Sequence, residues 1–147
     1  MTRRESRELA FCLLFEQAVT GEAVEDIIQA AHEARGLIPD TFAEQLAYGV
    51  EENLARLDPA IAEHLRGWSL RRISKVALSL LRLAVYELLF EPATPAGVAI
   101  NEAVELAKAY GSQGDPAYIN GVLGSVAKAC RPAEAPAETP PEGPAAP

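Results

Sequence analysis

The chain has 147 residues, 49% hydrophobic and 23% charged, which suits one globular domain or two small bundles sharing a core. A formal net charge of −8 argues against a general polyanion binder, and two cysteines 118 positions apart, Cys12 and Cys130, make neither a metal-ligand spacing nor a disulfide framework. The longest apolar run, residues 76–90, is interrupted by Ser79, Arg82, Tyr86 and Glu87 and is too short and polar to span a bilayer, and the N-terminus has no signal-peptide pattern, so a cytoplasmic protein without membrane contact is expected.

Taken in order, nearly every segment reads as helix. Thr2-Arg3-Arg4-Glu5 fits the S/T-x-x-E capping box, so the first helix starts at Arg3, and Gly21 stops it. Residues 9–15 are apolar on every side, which implies burial, and Cys12 is expected in the core. Arg4, Arg7, Phe11 and Phe15 share one edge. A second amphipathic helix covers residues 23–35, closed by Gly36, and a third covers residues 40–57 behind Pro39-Asp40-Thr41. Asp58-Pro59 is expected to restart the chain as a further segment ending near Leu65. Gly67-Trp68-Ser69 is the clearest break, with Ser69 a candidate N-cap.

The central helix follows at residues 75–90. Lys75, Ser79, Arg82 and Tyr86 form a narrow polar stripe at 100° per residue, and every other position is apolar except Glu87. A carboxylate in such surroundings needs a partner: a helix N-terminus or an arginine within the fold, or a ligand or second chain outside it. Residues 97–110 and 115–130 are the last helices, the latter with Asp115 as N-cap and Pro116 at the first helical position. Its stretch DPAYINGVLG places Ala117, Gly121, Gly124 and Lys128 on one side, where small residues suit close approach of a neighbouring backbone. Residues 131–147 hold six prolines and no large apolar side chain, and read as a disordered tail. The fold class is therefore all-α, about seven helices in two small bundles, with residues 1–67 and 68–130 as the two subdomains.

Charge is unevenly spread. From Glu16 to Glu63 there are eleven acids against Arg35 and Arg56, whereas Arg66, Arg71, Arg72, Lys75 and Arg82 follow with no acid among them. Such basic patches either contact nucleic acid or lie on solvated helix faces. Catalytic patterns are missing: there is no phosphate-binding glycine loop, no GxSxG and no HExxH. His32 and His64 stand alone, and adjacent Glu51 and Glu52 diverge by about 100° on a helix. No enzyme activity, cofactor or metal is expected.

Three strings decide the matter: LLRLAVYELLF (80–90), PAGVAINEAVELAKAYG (95–111) and YINGVLGSVA (118–127), preceded by RRESRELAFCLLF (3–15). Together they resemble the NusB family of bacterial transcription antitermination factors, over about residues 2–130. The resemblance implies two helical bundles packed on each other and a monomer or homodimer. It also implies a partner, the ribosomal protein that acts as NusE, and an RNA target, the single-stranded boxA element of nascent ribosomal transcripts. Other Nus factors and RNA polymerase join indirectly. By the same resemblance Arg3, Arg4, Arg7 and Tyr118 contact RNA, the arginines through phosphates and the tyrosine by stacking. Glu87 sits at the partner and RNA junction, and Asn101, Glu102 and Asn120 are structural hydrogen-bonding residues. Tyr118 is expected near the arginine end of the first helix. Ala117 stands where some relatives carry a base, which implies weaker intrinsic RNA affinity and more dependence on the ribosomal partner. The alternative is a helical protein–protein scaffold with little or no RNA binding of its own.

Overall fold

A computed structural model of the chain describes residues 1–134; the expectation for residues 135–147 lies outside the described residues. Seven α-helices carry the described part: α1 (Arg3–Thr20), α2 (Val24–Arg35), α3 (Thr41–Glu52), α4 (Leu54–Ala62), α5 (Lys75–Phe90), α6 (Ala96–Tyr110) and α7 (Asp115–Cys130), followed by a 3-10 turn at Pro132–Glu134. No strand occurs among the described residues, and none of their helices is long and apolar enough to cross a membrane.

The ends of the helices are chemically specified. The Thr2 hydroxyl accepts from the Glu5 amide at 3.1 Å, and the Glu5 carboxylate accepts from the Thr2 amide at 2.7 Å, completing the capping box of α1. Gly21 closes α1 with φ +78 and Gly36 closes α2 with φ +65, left-handed conformations that glycine adopts without a Cβ clash. Asp40 caps α3 through the Ala43 amide and Ser74 caps α5 through the Ala77 amide.

Two helices receive their caps from distant residues. The Val24 amide at the start of α2 donates to Glu51 of α3, and the Ala96 amide at the start of α6 donates to Glu134. Each satisfies one of the donors that a helix start leaves without an internal partner.

Several local expectations change. The long helix expected over residues 40–57 breaks at Asn53, not at Asp58. The Asn53 side chain donates back to the Gly49 carbonyl at 2.7 Å, and its amide bonds Val50 in a tightened turn, so the local polar group competes with the helix ladder. Pro59 then lies inside α4. Its missing amide opens one ladder bond at the sixth of the nine positions of this short helix and does not end it. Ser69 does not cap α5; its carbonyl holds a turn with Arg72 and Ile73, and Ser74 takes the cap. Asp115 caps the preceding turn, accepting from the Ser112 amide, while Gly114 occupies the N-cap of α7. Cys12, expected in the core, is exposed.

α5 lies at the centre, packed against α1, α3, α4, α6 and α7. One hydrophobic cluster runs from Ala10 of α1 through Leu80, Leu81 and Val85 of α5 to Ile119, Leu123 and Val126 of α7, so buried side chains are continuous across the break at Gly67. Most of the polar stripe of α5 is covered as well. Ser79 is buried and bonds its own helix at the Lys75 carbonyl. Arg82 forms two hydrogen bonds to Asp58 of α4, and Tyr86 stacks on Phe90 beside Gly49 of α3. Enclosed polar groups need internal partners, which Ser79 and Arg82 find, while Lys75 at the start of the helix stays exposed.

The segment after α7 also belongs to the folded body for its first four residues. The Arg131 guanidinium donates to the carbonyls of Glu87, Leu88, Glu91 and Thr94, at and beyond the C-terminal end of α5, and pairs with Glu134 at 3.0 Å. Those carbonyls are the acceptors a helix end leaves open, and the cation complements the negative end of the helix dipole. Residues 131–134, expected to lie in the tail, are instead part of the folded body.

Candidate nucleic-acid interface

The site residues expected from the sequence fall into two groups in space. The first gathers around the N-terminal half of α1. Arg3 is exposed and its guanidinium lies 3.8 Å from the centroid of the Phe42 ring, a cation–π contact that ties the start of α1 to α3. Arg4 is solvent-facing, its side chain 65% exposed, and bonds Glu102 of α6 through two nitrogens at 3.1 and 2.8 Å. The arginine holds the Glu102 carboxyl below its ordinary range, with burial acting in the opposite direction. Glu102 thus accepts two hydrogen bonds that join α6 to the start of α1. Further along α1, the Tyr110 hydroxyl donates to Glu8, and that bond together with burial pushes the phenol well above its ordinary value.

Arg7 occupies a different setting from its neighbours. Its side chain is 8% exposed and that of Glu87 is 1% exposed. Nε donates to Oε1 at 2.9 Å and the terminal nitrogen to Oε2 at 2.9 Å, the parallel two-bond geometry that matches guanidinium to carboxylate. In this structure each of the two is buried and engaged by the other, so neither stands exposed at the surface as Arg3 and Arg4 do. The two expected contacts neutralise one another inside the protein, because a buried charge without a partner is far costlier than a buried pair. Of the alternatives open for Glu87, the internal arginine is the one realised. The pair fastens α1 to α5, and fixes the position of the exposed Arg3 and Arg4 one turn upstream.

The second group surrounds Tyr118. The tyrosine is half-buried, its hydroxyl accepts from the Arg66 amide at 3.3 Å, and its ring lines an open groove with Trp68, Arg72 and Ala77. Arg7 lies at the Glu87 level of α5 and Tyr118 at the Ala77 level, about 15 Å apart along the axis at 1.5 Å per residue. The expectation that Tyr118 stands beside the arginine end of α1 is thus corrected: the two lie toward opposite ends of the central helix. The chain runs from α6 into α7 at the end remote from Glu102, and this connectivity carries Tyr118 away from Arg4.

The glycines of α7 also act differently from expectation. A Cβ placed at Gly121 or Gly124 meets nothing within 4 Å, so no neighbouring backbone occupies that side. Asn120 and Asn101, expected as structural hydrogen-bonding residues, are both exposed. Sequence reasoning missed Arg131, because it was grouped with the proline-rich segment. It missed the cap from Glu51 because a contact between residues 24 and 51 leaves no local pattern.

Comparison with known proteins agrees with this architecture. The NusB family model matches residues 4–128. A transcription antitermination protein NusB from Clostridium novyi is 39% identical over 133 residues, covering 88% of this chain and 100% of the relative. The Thermotoga maritima NusB structure is 36% identical with a TM-score of 0.78, covering 87% of this chain and 92% of that one. A crystal structure of the antitermination factors NusB and NusE in complex with double-stranded RNA is 26% identical with a TM-score of 0.77, covering 86% and 96%. With a match across all seven helices and a relative covered end to end, the chain belongs to the NusB family of transcription antitermination proteins.

Proposed function

We propose that the protein is an RNA-binding transcription antitermination factor, without catalytic activity, that acts in the cytoplasm with the ribosomal protein serving as NusE on boxA-type single-stranded RNA. One observation carries the reading: in a chain of net charge −8, the capped start of α1 holds Arg3 and Arg4 at the surface on a rigid mount. Arg3 is ion-paired with no described residue. Arg4 is paired with Glu102, whose side chain is 13% exposed, through Nε and one terminal nitrogen; its own side chain is 65% exposed and keeps N–H donors free for a phosphate. With Arg7 turned inward, few cations remain at this end, so the protein's own RNA affinity is low and the ribosomal partner supplies much of the interface. The same scarcity of cations is what favours the second reading, a protein–protein scaffold.

A titration of labelled boxA-type RNA at two salt concentrations, with and without the ribosomal partner, tests this. The mixed pair is expected to bind more tightly than the protein alone. Replacing both Arg3 and Arg4 by Glu is expected to weaken binding about tenfold or more, equivalent to about 1.4 kcal/mol. It should also lower the salt slope by about 0.7 per lost single-strand phosphate contact. Unchanged binding by that variant, or a salt-independent absence of binding in both mixtures, would favour the scaffold.

A further inference from the structure

Beyond the arginine end of α1, the groove at the opposite end of α5 combines features that fit one class of ligand. Trp68, the one tryptophan of the chain, is 54% exposed. It lines a groove of about 330 Å³ with Tyr118 and Arg72, and a neighbouring one of about 470 Å³ with Tyr118 and Arg66. Gly67, with φ +77, turns the backbone immediately before Trp68, and the Arg66 amide fastens this loop to the Tyr118 hydroxyl. The loop is thus held against α7. Ala117 and Gly121 leave the floor of the second groove without bulk, and a Cβ at Gly121 would meet nothing.

Charge completes the description. Arg66, Arg71, Arg72 and Lys75 are all exposed, and none forms an ion pair with a described residue. Of the thirteen Lys and Arg side chains five are ion-paired, and four of the eight that pair with no described residue fall within residues 66–75. Asp115, the acid lining the groove, already accepts the Ser112 amide. Two accessible aromatic faces among unpaired cations suit unpaired bases joined by phosphates, because every base has a face to stack and every linkage a charge to neutralise. An acidic peptide satisfies the cations but leaves the aromatic faces without a planar partner.

We propose that Trp68 and Tyr118 form a stacking platform for unpaired RNA bases, with Arg66, Arg71, Arg72 and Lys75 as its phosphate contacts. It forms a second contact tract, separated from the Arg3–Arg4 end by the about 15 Å between the Ala77 and Glu87 levels of α5. This deepens the proposed function and rests on it. A stacked strand with a rise of about 3.4 Å per nucleotide covers this separation with about four to five nucleotides. Tyr118 belongs to the platform and not to the arginine end.

Trp68 is its own reporter. The full chain is titrated with a boxA-type single-stranded RNA oligonucleotide, following tryptophan emission and, in parallel, the anisotropy of end-labelled RNA. Emission is expected to fall, saturating at the concentration at which anisotropy saturates. Trp68→Ala is expected to weaken binding about 5- to 150-fold, the range for loss of one base–aromatic stack. Trp68→Phe keeps a ring and should retain most of the affinity, and Arg72→Gln should lower the salt slope by about 0.7. Circular dichroism should be unchanged for all three, since the side chain is more than half exposed.

The proposal is overturned, with the proposed function intact, if RNA binds and the α1 charge reversal weakens it while emission stays constant and Trp68→Ala binds like the parent. A poly-glutamate peptide of matched charge that quenches Trp68 when RNA does not would make the groove a protein-docking surface. Absence of RNA binding with and without the ribosomal partner removes both readings together.

Discussion

Glu87→Ala is expected to lower the stability of the fold by about 3–5 kcal/mol, the cost of leaving a buried charge without its partner. The substitution strands the Arg7 guanidinium, whose side chain is 8% exposed, in a setting of α5 and α6 side chains that is apolar apart from Glu102, which Arg4 already engages. Arg7→Ala strands the carboxylate in the same way. For a chain of this size such a loss lowers the melting temperature by about 10–20 °C. Urea unfolding followed by circular dichroism measures it. A loss below about 1 kcal/mol would mean that water reaches the pair, contrary to its burial. The double replacement Arg7→Met, Glu87→Leu removes both charges at roughly constant volume, and is expected to recover most of the stability. It also separates structure from recognition: with Arg7 committed to Glu87, the double variant should bind RNA within about twofold of the parent. Loss of RNA binding in a stable double variant would return these residues to the interface.

The second large effect concerns a position with no polar group at all. Gly49→Ala is expected to destabilise the protein by about 1–3 kcal/mol through overpacking. A Cβ at Gly49 would stand 2.6 Å from Cε1 of Tyr86 and closer still to Cζ and Oη, inside any van der Waals contact. The ring has little freedom to retreat. It is 8% exposed and stacks on Phe90 with centroids 5.3 Å apart. Tyr86→Leu removes the clashing atoms, so Gly49→Ala should cost much less in that background than in the parent. Equal costs in the two backgrounds, measured by the same unfolding curves, would rule out the ring as the cause.

Both predictions concern contacts between residues far apart in the chain, and they mark where sequence reading stopped. Helix boundaries governed by adjacent residues were legible: the capping box at Thr2 and Glu5 and the left-handed stops at Gly21 and Gly36 are local chemistry. Boundaries governed by competing options were not. Asn53 ends α3 with a back-bond that an asparagine at many other helix positions does not make, and Ser74 rather than Ser69 caps α5. The periodicity of α5 marked Lys75, Ser79, Arg82 and Tyr86 as one stripe but did not say what faces it. α3 and α4 cover most of it, and a pattern within one helix carries no information about the element packed against it.

The same division holds for the candidate site. The strings that carry the family resemblance are in the sequence, and so are the exposed Arg3 and Arg4, whose setting follows from their place in the first turn of a capped helix. The need of Glu87 for a partner was also legible, because an isolated carboxylate among apolar residues is unstable wherever it lies. Tertiary structure alone decided that Arg7 is that partner, that α7 leaves its glycine side open, and that Tyr118 stands beside Trp68. Composition, periodicity and caps are set by interactions within a few residues. The pairing of charges and the grouping of aromatics depend on where α1, α5 and α7 meet, and packing the whole core fixes those meetings at once.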